Sequence, residues 1–371
     1  YIGHETANGV PLVLETTSDT ELMNNPRASV QQVYGRIMED LDEAITLLTG
    51  ASARADKAEI SVEVAYGLRA RANLLMGKWA AAASDAAKAY GTSAPYSVAD
   101  VSQPTFYNAT DNAWIWGIVV TTEDYLAKTG IVNWPSNLCS LTGMGYTTAA
   151  SATDVAYRLI NKNLWAKIPE TDVRKGWWVD EDLHSPVLDN GLGEDYAYYW
   201  ANGMFNGGTF PSKFSPYTNV KFGPDNGTFA DTDNAQDWPL MRVEEMKLIE
   251  AEALGRDNLA TGKQKLEEFV RQYRDPSYTC TAGSLDAFID EVWFQRRIEL
   301  WGEGFALFDI LRLKKPIIRQ GANYPINSTF AEIAAEAPIM IYRIPEAETS
   351  VNSAITEADN NPAAMAPTPV N

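Results

Sequence analysis

Residues 63–90 read EVAYGLRARANLLMGKWAAAASDAAKAY, and this stretch constrains the fold more than any other. Ala65, Leu68, Ala72 and Leu75 recur at i, i+3, i+7 and i+10, and Ala80, Ala83, Ala87 and Tyr90 repeat that spacing after Gly77. Apolar residues at this period predict two helices. The small residues on their facing stripes let antiparallel helices approach closely. A helix, a Gly-plus-basic turn and an Ala-rich helix is the pattern of a tetratricopeptide unit. A weaker echo, MRVEEMKLIEAEALGRDNLATGKQKLEEFVRQY, predicts a second hairpin with Gly255 and Arg256 at its turn. The two copies are too far apart for a regular array. They are expected as helical hairpins within one fold. Ahead of both, Ser29 and Gln32 fit a capping box. Val30, Tyr34, Ile37, Leu41, Ile45 and Leu48 then follow at helical spacing, and Glu39, Asp40, Asp42 and Glu43 read as the solvated face.

Between 91 and 237 the character changes. Turn residues are dense and aromatics cluster in AWIWG, KGWWVDED and DYAYYWANGMF. WIWGIVV predicts a short strand, with Trp114 and Trp116 on one side of it. The remainder predicts long ordered loops, which are uncommon without a role. The fold class is therefore mainly α, with helical hairpins and a long loop-rich insert containing short strands. One domain over 1–371 is expected. It comprises an irregular lead-in (1–28), tetratricopeptide-like helices (29–90), the aromatic-rich region (91–237), core helices (238–315) and an irregular tail (316–371).

Several function classes lack support. With 30 Lys and Arg against 49 Asp and Glu, the net charge is −19. That opposes sequence-blind binding to nucleic acid or to an anionic membrane surface. No run approaches the roughly 18 apolar residues of a spanning helix. There is no G-x-S-x-G and no P-loop. His4 and His184 are the only histidines, a poor supply for metal or triad chemistry. Neither a cofactor nor a metal is expected. PDNGTFADTDNAQD offers Asp225, Asp231, Asp233 and Asp237, but it lacks the glycine of a calcium loop and reads as an ordinary acidic loop. Cys139 and Cys280 allow one disulfide at most, and their spacing leaves pairing open. The chain opens at YIGHETANGVPLVLETT without Met, basic n-region or lipobox, as a processed or truncated product would.

FQRRIELWGEGFALFDILRLKKP, residues 294–316, mixes charges with core-like aromatics. On a helix, Phe294, Ile298, Trp301 and Phe305 form one stripe, and Trp293, Arg297, Leu300 and Gly304 its neighbour. Arg297 then lies in an apolar face, where a bare charge costs several kcal/mol. A structural ion-pair lattice is expected, with Arg297 and Arg242 as cations and Glu299 and Glu250 among the carboxylates; Glu252 and Glu303 are also in reach. A general acid/base role for Glu299 or Glu303 is the alternative.

This segment resembles the E-R-x-x-E-L-x-x-E-G-x-R-x-x-D-L-x-R stretch of the SusD/RagB family. Other stretches agree in family order. VYGRIMEDLDEAITLL and AYGLRARANLLMGKWAAAASDAAKAY resemble the second tetratricopeptide unit and the helix before it. TDVRKGWW matches the D-x-R segment, DWPLMRVEEMKLIEAEAL the R-x-A-E-x-x-L-x-x-A-E-A helix, and YRIPEAETSVNSAITEADNNP the tail. The family's first helical unit and lipidated Cys have no counterpart. Its Arg after E-G-x is Ala306 here, and the tail Asn-Pro pair shifts to Asn361 and Pro362.

The resemblance implies a SusD-like fold and a non-catalytic protein on the cell surface. Such a protein is anchored in the outer membrane by a lipid outside this sequence. It captures oligosaccharides, or peptides, for import through a SusC-like TonB-dependent transporter. A glycosidase and a helical scaffold are the rival classes. Sugar capture needs aromatic faces for pyranose rings and polar groups for hydroxyls. Among the loop aromatics, Trp177, Trp178, Tyr198, Tyr199 and Trp200, with Asn202, are the candidate ligand-binding residues, because Asp180, Asp189 and Asn190 stand beside them.

Overall fold

The computed structural model describes residues 1–128, 138–141, 158–204, 213–229, 234–324, 330, 332–365 and 367, and it is mainly helical. A short ladder of β1 (Asn8–Pro11) with β2 (Arg27–Ser29) leads into α1 (Val30–Leu48), whose first turn is closed by the Ser29–Gln32 capping box. The Ala-rich stretch folds as the hairpin α2 (Val62–Met76) and α3 (Trp79–Tyr90). Gly77 ends α2 at φ 75°, a left-handed cap that favours glycine. The aromatic-rich region contributes β3 (Trp114–Ile118) and the short helices α4 (Pro186–Leu192) and α5 (Glu194–Ala201). β4 (Trp238–Arg242) pairs antiparallel with β3 and feeds α6 (Val243–Asp257), α7 (Leu259–Tyr273), α8 (Leu285–Glu299) and α9 (Ala306–Arg312).

α6 is the hub. Met246, Ile249 and Ala253 meet Ala82, Ala86 and Ala89 of α3, while Leu248 and Ala251 meet Phe269 of α7 and Phe288 of α8. The α6–α7 turn falls at Asn258, which caps α7 by accepting the Thr261 N–H at 3.1 Å, and not at Gly255 and Arg256. Gly255 lies within α6. A Cβ on Gly262 would sit 2.3 Å from its Cα, so this pair of glycines lets the two helices touch.

The aromatic-rich region differs most from the loops expected of it. It has a core of its own, in which Phe106, Trp114, Trp177, Trp178, Trp200 and Phe222 pack with Ile298 of α8. In the strand, Trp114 is buried and Trp116 half-buried. Residues 294–316 are not one helix. α8 stops at Glu299, and Gly302 and Gly304 turn the chain at φ 81° and 88° before α9 begins. These left-handed positions favour glycine. Among the described residues, no helix is long and apolar enough to cross a membrane.

Candidate ligand-binding site

The turn after α8 has a chemical consequence. It places Glu299 and Glu303 around the single guanidinium of Arg242. Arg242 donates to Glu303 at 2.8 Å, meets Glu299 at 3.3 Å and pairs with Glu244 at 2.8 Å. Arg274 grips both oxygens of Glu299 at 2.8 and 2.9 Å and reaches Glu244 at 3.0 Å. Arg174 holds Asp172 at 2.6 Å and touches Glu299 at 3.4 Å, and the Lys221 ammonium donates to Glu303 at 2.7 Å. None of these eight side chains is more than 2% exposed. Four cations against four carboxylates leave no buried charge uncompensated, which is what permits such a cluster inside a core. Burial pushes Glu299 up, yet Arg274, Arg242 and Arg174 together hold it well below the usual carboxylate range. Burial pushes Lys221 down to about 8 against the pull of Glu303.

A second cluster joins α6 to α9. Arg312 grips both oxygens of Glu252 at 2.6 and 2.7 Å, and Arg296 meets Asp309 at 2.8 Å. Arg297, expected in the lattice, has no carboxylate within ion-pair distance among the described residues. Its guanidinium lies 4.9 Å over the Trp293 ring. The neighbouring Arg296 takes the inward position, on the buried side of α8 with Val292, Gln295 and Glu299. Glu250 accepts from the Tyr90 hydroxyl at 2.9 Å, with the Lys265 ammonium at 3.5 Å.

Glu252 makes the acid behaviour predictable. Burial raises it, but Arg312 and Arg256 win and hold it at about 2. A carboxylate depressed in the folded state stabilises above its unfolded value, and that stability is lost as pH falls through the folded one. Denaturant titrations should therefore show stability falling by about 3 kcal/mol on this account as pH drops from 4.5 towards 2. Glu299 and Glu303 add to the loss. Glu244, raised by burial, works in the opposite sense. Glu252→Gln should flatten the profile; an unchanged slope would contradict the pairing.

The outer end of the lattice surfaces in a cleft of about 480 Å³. Asp172 and Arg274 lie at its floor, and Val98, Pro186 and Val187 give it an apolar side. Trp165 is half-buried in its wall, with the Lys175 ammonium 4.5 Å over its ring. Lys175 also donates to the Glu170 carboxylate and to the Ile168 carbonyl at 3.0 Å. His184 pairs with Asp189 at 2.6 Å, and Asn190 is pinned to the Ser102 carbonyl at 2.9 Å. The turn Val173–Trp177, capped by Asp172 accepting the Arg174 N–H at 2.9 Å, delivers Lys175 to this wall. A larger depression of about 600 Å³, between Arg343 and Asn360, has no aromatic side chain in its lining.

The same turn drives the two adjacent tryptophans inward. Trp177 is fully buried and its indole donates to the Val101 carbonyl at 3.0 Å; Trp178 is 1% exposed and packs edge-on to Trp301. Trp200, also 1% exposed, donates to the Ser140 carbonyl at 3.2 Å. These three rings, read from the sequence as ligand platforms, are core. Of the expected set, only the tyrosines present rings to solvent, Tyr198 59% exposed and Tyr199 46%, with Tyr196 beside them on α5. Asn202 is half-buried and donates to the Tyr198 carbonyl at 3.0 Å. Trp165, Lys175 and His184 were missed. Their only signal was an aromatic and a cation near the D-x-R segment. Of the acidic loop, Asp231 and Asp233 lie outside the described residues, and Asp237 is occupied accepting the N–H groups of Ala109 and Val120 at 2.8 Å.

The SusD family model matches residues 147–362, more than half of the chain. The chain belongs to the SusD family. Its fold agrees with solved SusD structures. A SusD-like carbohydrate-binding protein from Bacteroides vulgatus superposes with a TM-score of 0.71 at 22% identity, over 95% of this chain and 71% of that one. A SusD superfamily protein from Bacteroides thetaiotaomicron gives 0.70 at 21%, over 98% and 72%. A laminarin-binding SusD-like protein gives 0.51 at 21%, over 84% and 67%. No curated protein sequence matches this SusD-family chain.

Proposed function

We propose that the chain is one SusD-like domain that binds oligosaccharides at the outer-membrane surface without turning them over. It hands them to a SusC-like TonB-dependent transporter for import and is itself held by a lipid anchor outside this sequence. Family membership supports the role, as do SusD-like relatives described as carbohydrate-binding and laminarin-binding. The observation that carries the binding part is the cleft, whose lining combines a half-buried Trp165 and the apolar Val98, Pro186 and Val187 with Glu170, Asp180 and Asn190. A pyranose needs that combination, an apolar wall for its C–H face and acceptors for its hydroxyls. The tyrosine face of α5, with Tyr198, Tyr199 and Asn202, is proposed as a further platform.

Glycan-array binding by the purified protein tests the reading. Trp165→Ala should then weaken the best ligand about tenfold, or about 1.4 kcal/mol, with the circular-dichroism spectrum retained. Tyr198→Ala measures whether α5 takes part. Exclusive binding of peptides, or release of cleavage products on long incubation, would replace the proposal.

A further inference from the structure

The proposed glycan site sits in a chain of net charge −19, yet its cleft contains both Lys175 and Arg274. Whether those cations are available decides which sugars the site accepts. Arg274 is committed to Glu244 and Glu299 in the lattice and is fully buried. Lys175 is committed to Glu170 and to the Ile168 carbonyl. His184, the remaining nitrogen base, is held by Asp189. The carboxylates are less fully used. Asp180 accepts the N–H groups of Asp182 and His184, each at 2.9 Å through the same oxygen, and faces no cation within ion-pair distance among the described residues. Glu170 is 85% exposed and retains lone pairs beyond those that Lys175 occupies. Among the described residues, the cleft therefore offers acceptors for hydroxyl groups and no cation without a carboxylate partner.

Resting on the glycan reading above, we propose that this cleft selects uncharged oligosaccharides and rejects uronate and sulfated ones, because every cation on its walls already holds a carboxylate of the protein. An acidic sugar has to share Lys175 with the like charge of Glu170 and enter against the field of the whole chain. A neutral sugar does neither.

The test is a glycan array of neutral, uronate, sulfated and amino-sugar oligosaccharides, followed by calorimetry of the best binder at low and physiological salt. The expected binder is neutral, with a dissociation constant that changes less than about twofold with salt, since no ion pair forms across the interface. Glu170→Gln releases Lys175 and should raise affinity for a galacturonate oligosaccharide about tenfold at low salt, the gain shrinking as salt screens it. Preference of the native protein for acidic or amino sugars would overturn the selectivity while leaving the glycan reading intact. So would the lack of any gain in Glu170→Gln. Binding to no carbohydrate would overturn the glycan reading itself.

Discussion

Glu299→Ala is expected to remove about 3–5 kcal/mol of stability, enough to bring most domains near their unfolding threshold. Three guanidiniums converge on this one side chain. Arg274 makes two charge-assisted bonds at 2.8 and 2.9 Å, and Arg242 and Arg174 stand at 3.3 and 3.4 Å. Truncation leaves four buried cations facing three carboxylates. The cost lies in the uncompensated charge, since a buried pair exchanged as a whole for apolar residues is often neutral. Glu299→Gln retains an acceptor and should cost less than alanine. The measurement is urea unfolding of both variants, read as a lower midpoint at unchanged slope. A loss below about 1 kcal/mol would mean that Glu299 is not the centre of the lattice. It would also weaken the account of the cleft floor, where Glu299 is one of the groups that hold Arg274.

Trp177→Ala should cost a similar ~3–5 kcal/mol, this time through a cavity. The ring is fully buried, meets Phe106 edge-on at 5.4 Å and Trp178 at 6.1 Å, and lies 5.0 Å beneath the Lys221 ammonium. Its indole N–H donates to the Val101 carbonyl at 3.0 Å. Trp177→Phe fills most of the space and strands that carbonyl, so about 1–2 kcal/mol is expected. Oligosaccharide affinity, measured on the folded fraction, should change little in Trp177→Phe. Lost binding with undiminished stability would return Trp177 to the ligand surface where its sequence neighbours suggest it belongs.

That reversal separates short-range from long-range information. Helical periodicity, the Ser29–Gln32 cap and the Gly77 stop act over a few residues, so α1 and the α2–α3 hairpin are legible in the amino-acid sequence. So is the short strand at Trp114, and so, through its ordered motifs, is the SusD resemblance. Spacing on a helix could not say which face of residues 294–316 looks inward. The left-handed glycines at 302 and 304 break the helix beyond Glu299, and the packing of Phe288, Val292 and Ile298 turns Arg296 inward in place of Arg297. Nor could composition tell a stacking tryptophan from a core one. Trp177, Trp178 and Trp200 stand beside polar residues in sequence but are buried by partners 60 or more residues away, Val101 and Trp301 among them. The charges behave the same way. Any of 49 carboxylates can pair with an arginine by composition, and only the packing of α6 against α8 and the turn after it brings Glu244, Glu299 and Glu303 to one guanidinium. Local chain chemistry settled the helices of this protein. Contacts between residues distant in sequence settled its ion pairs and its cleft, because burial and charge compensation depend on what surrounds a side chain.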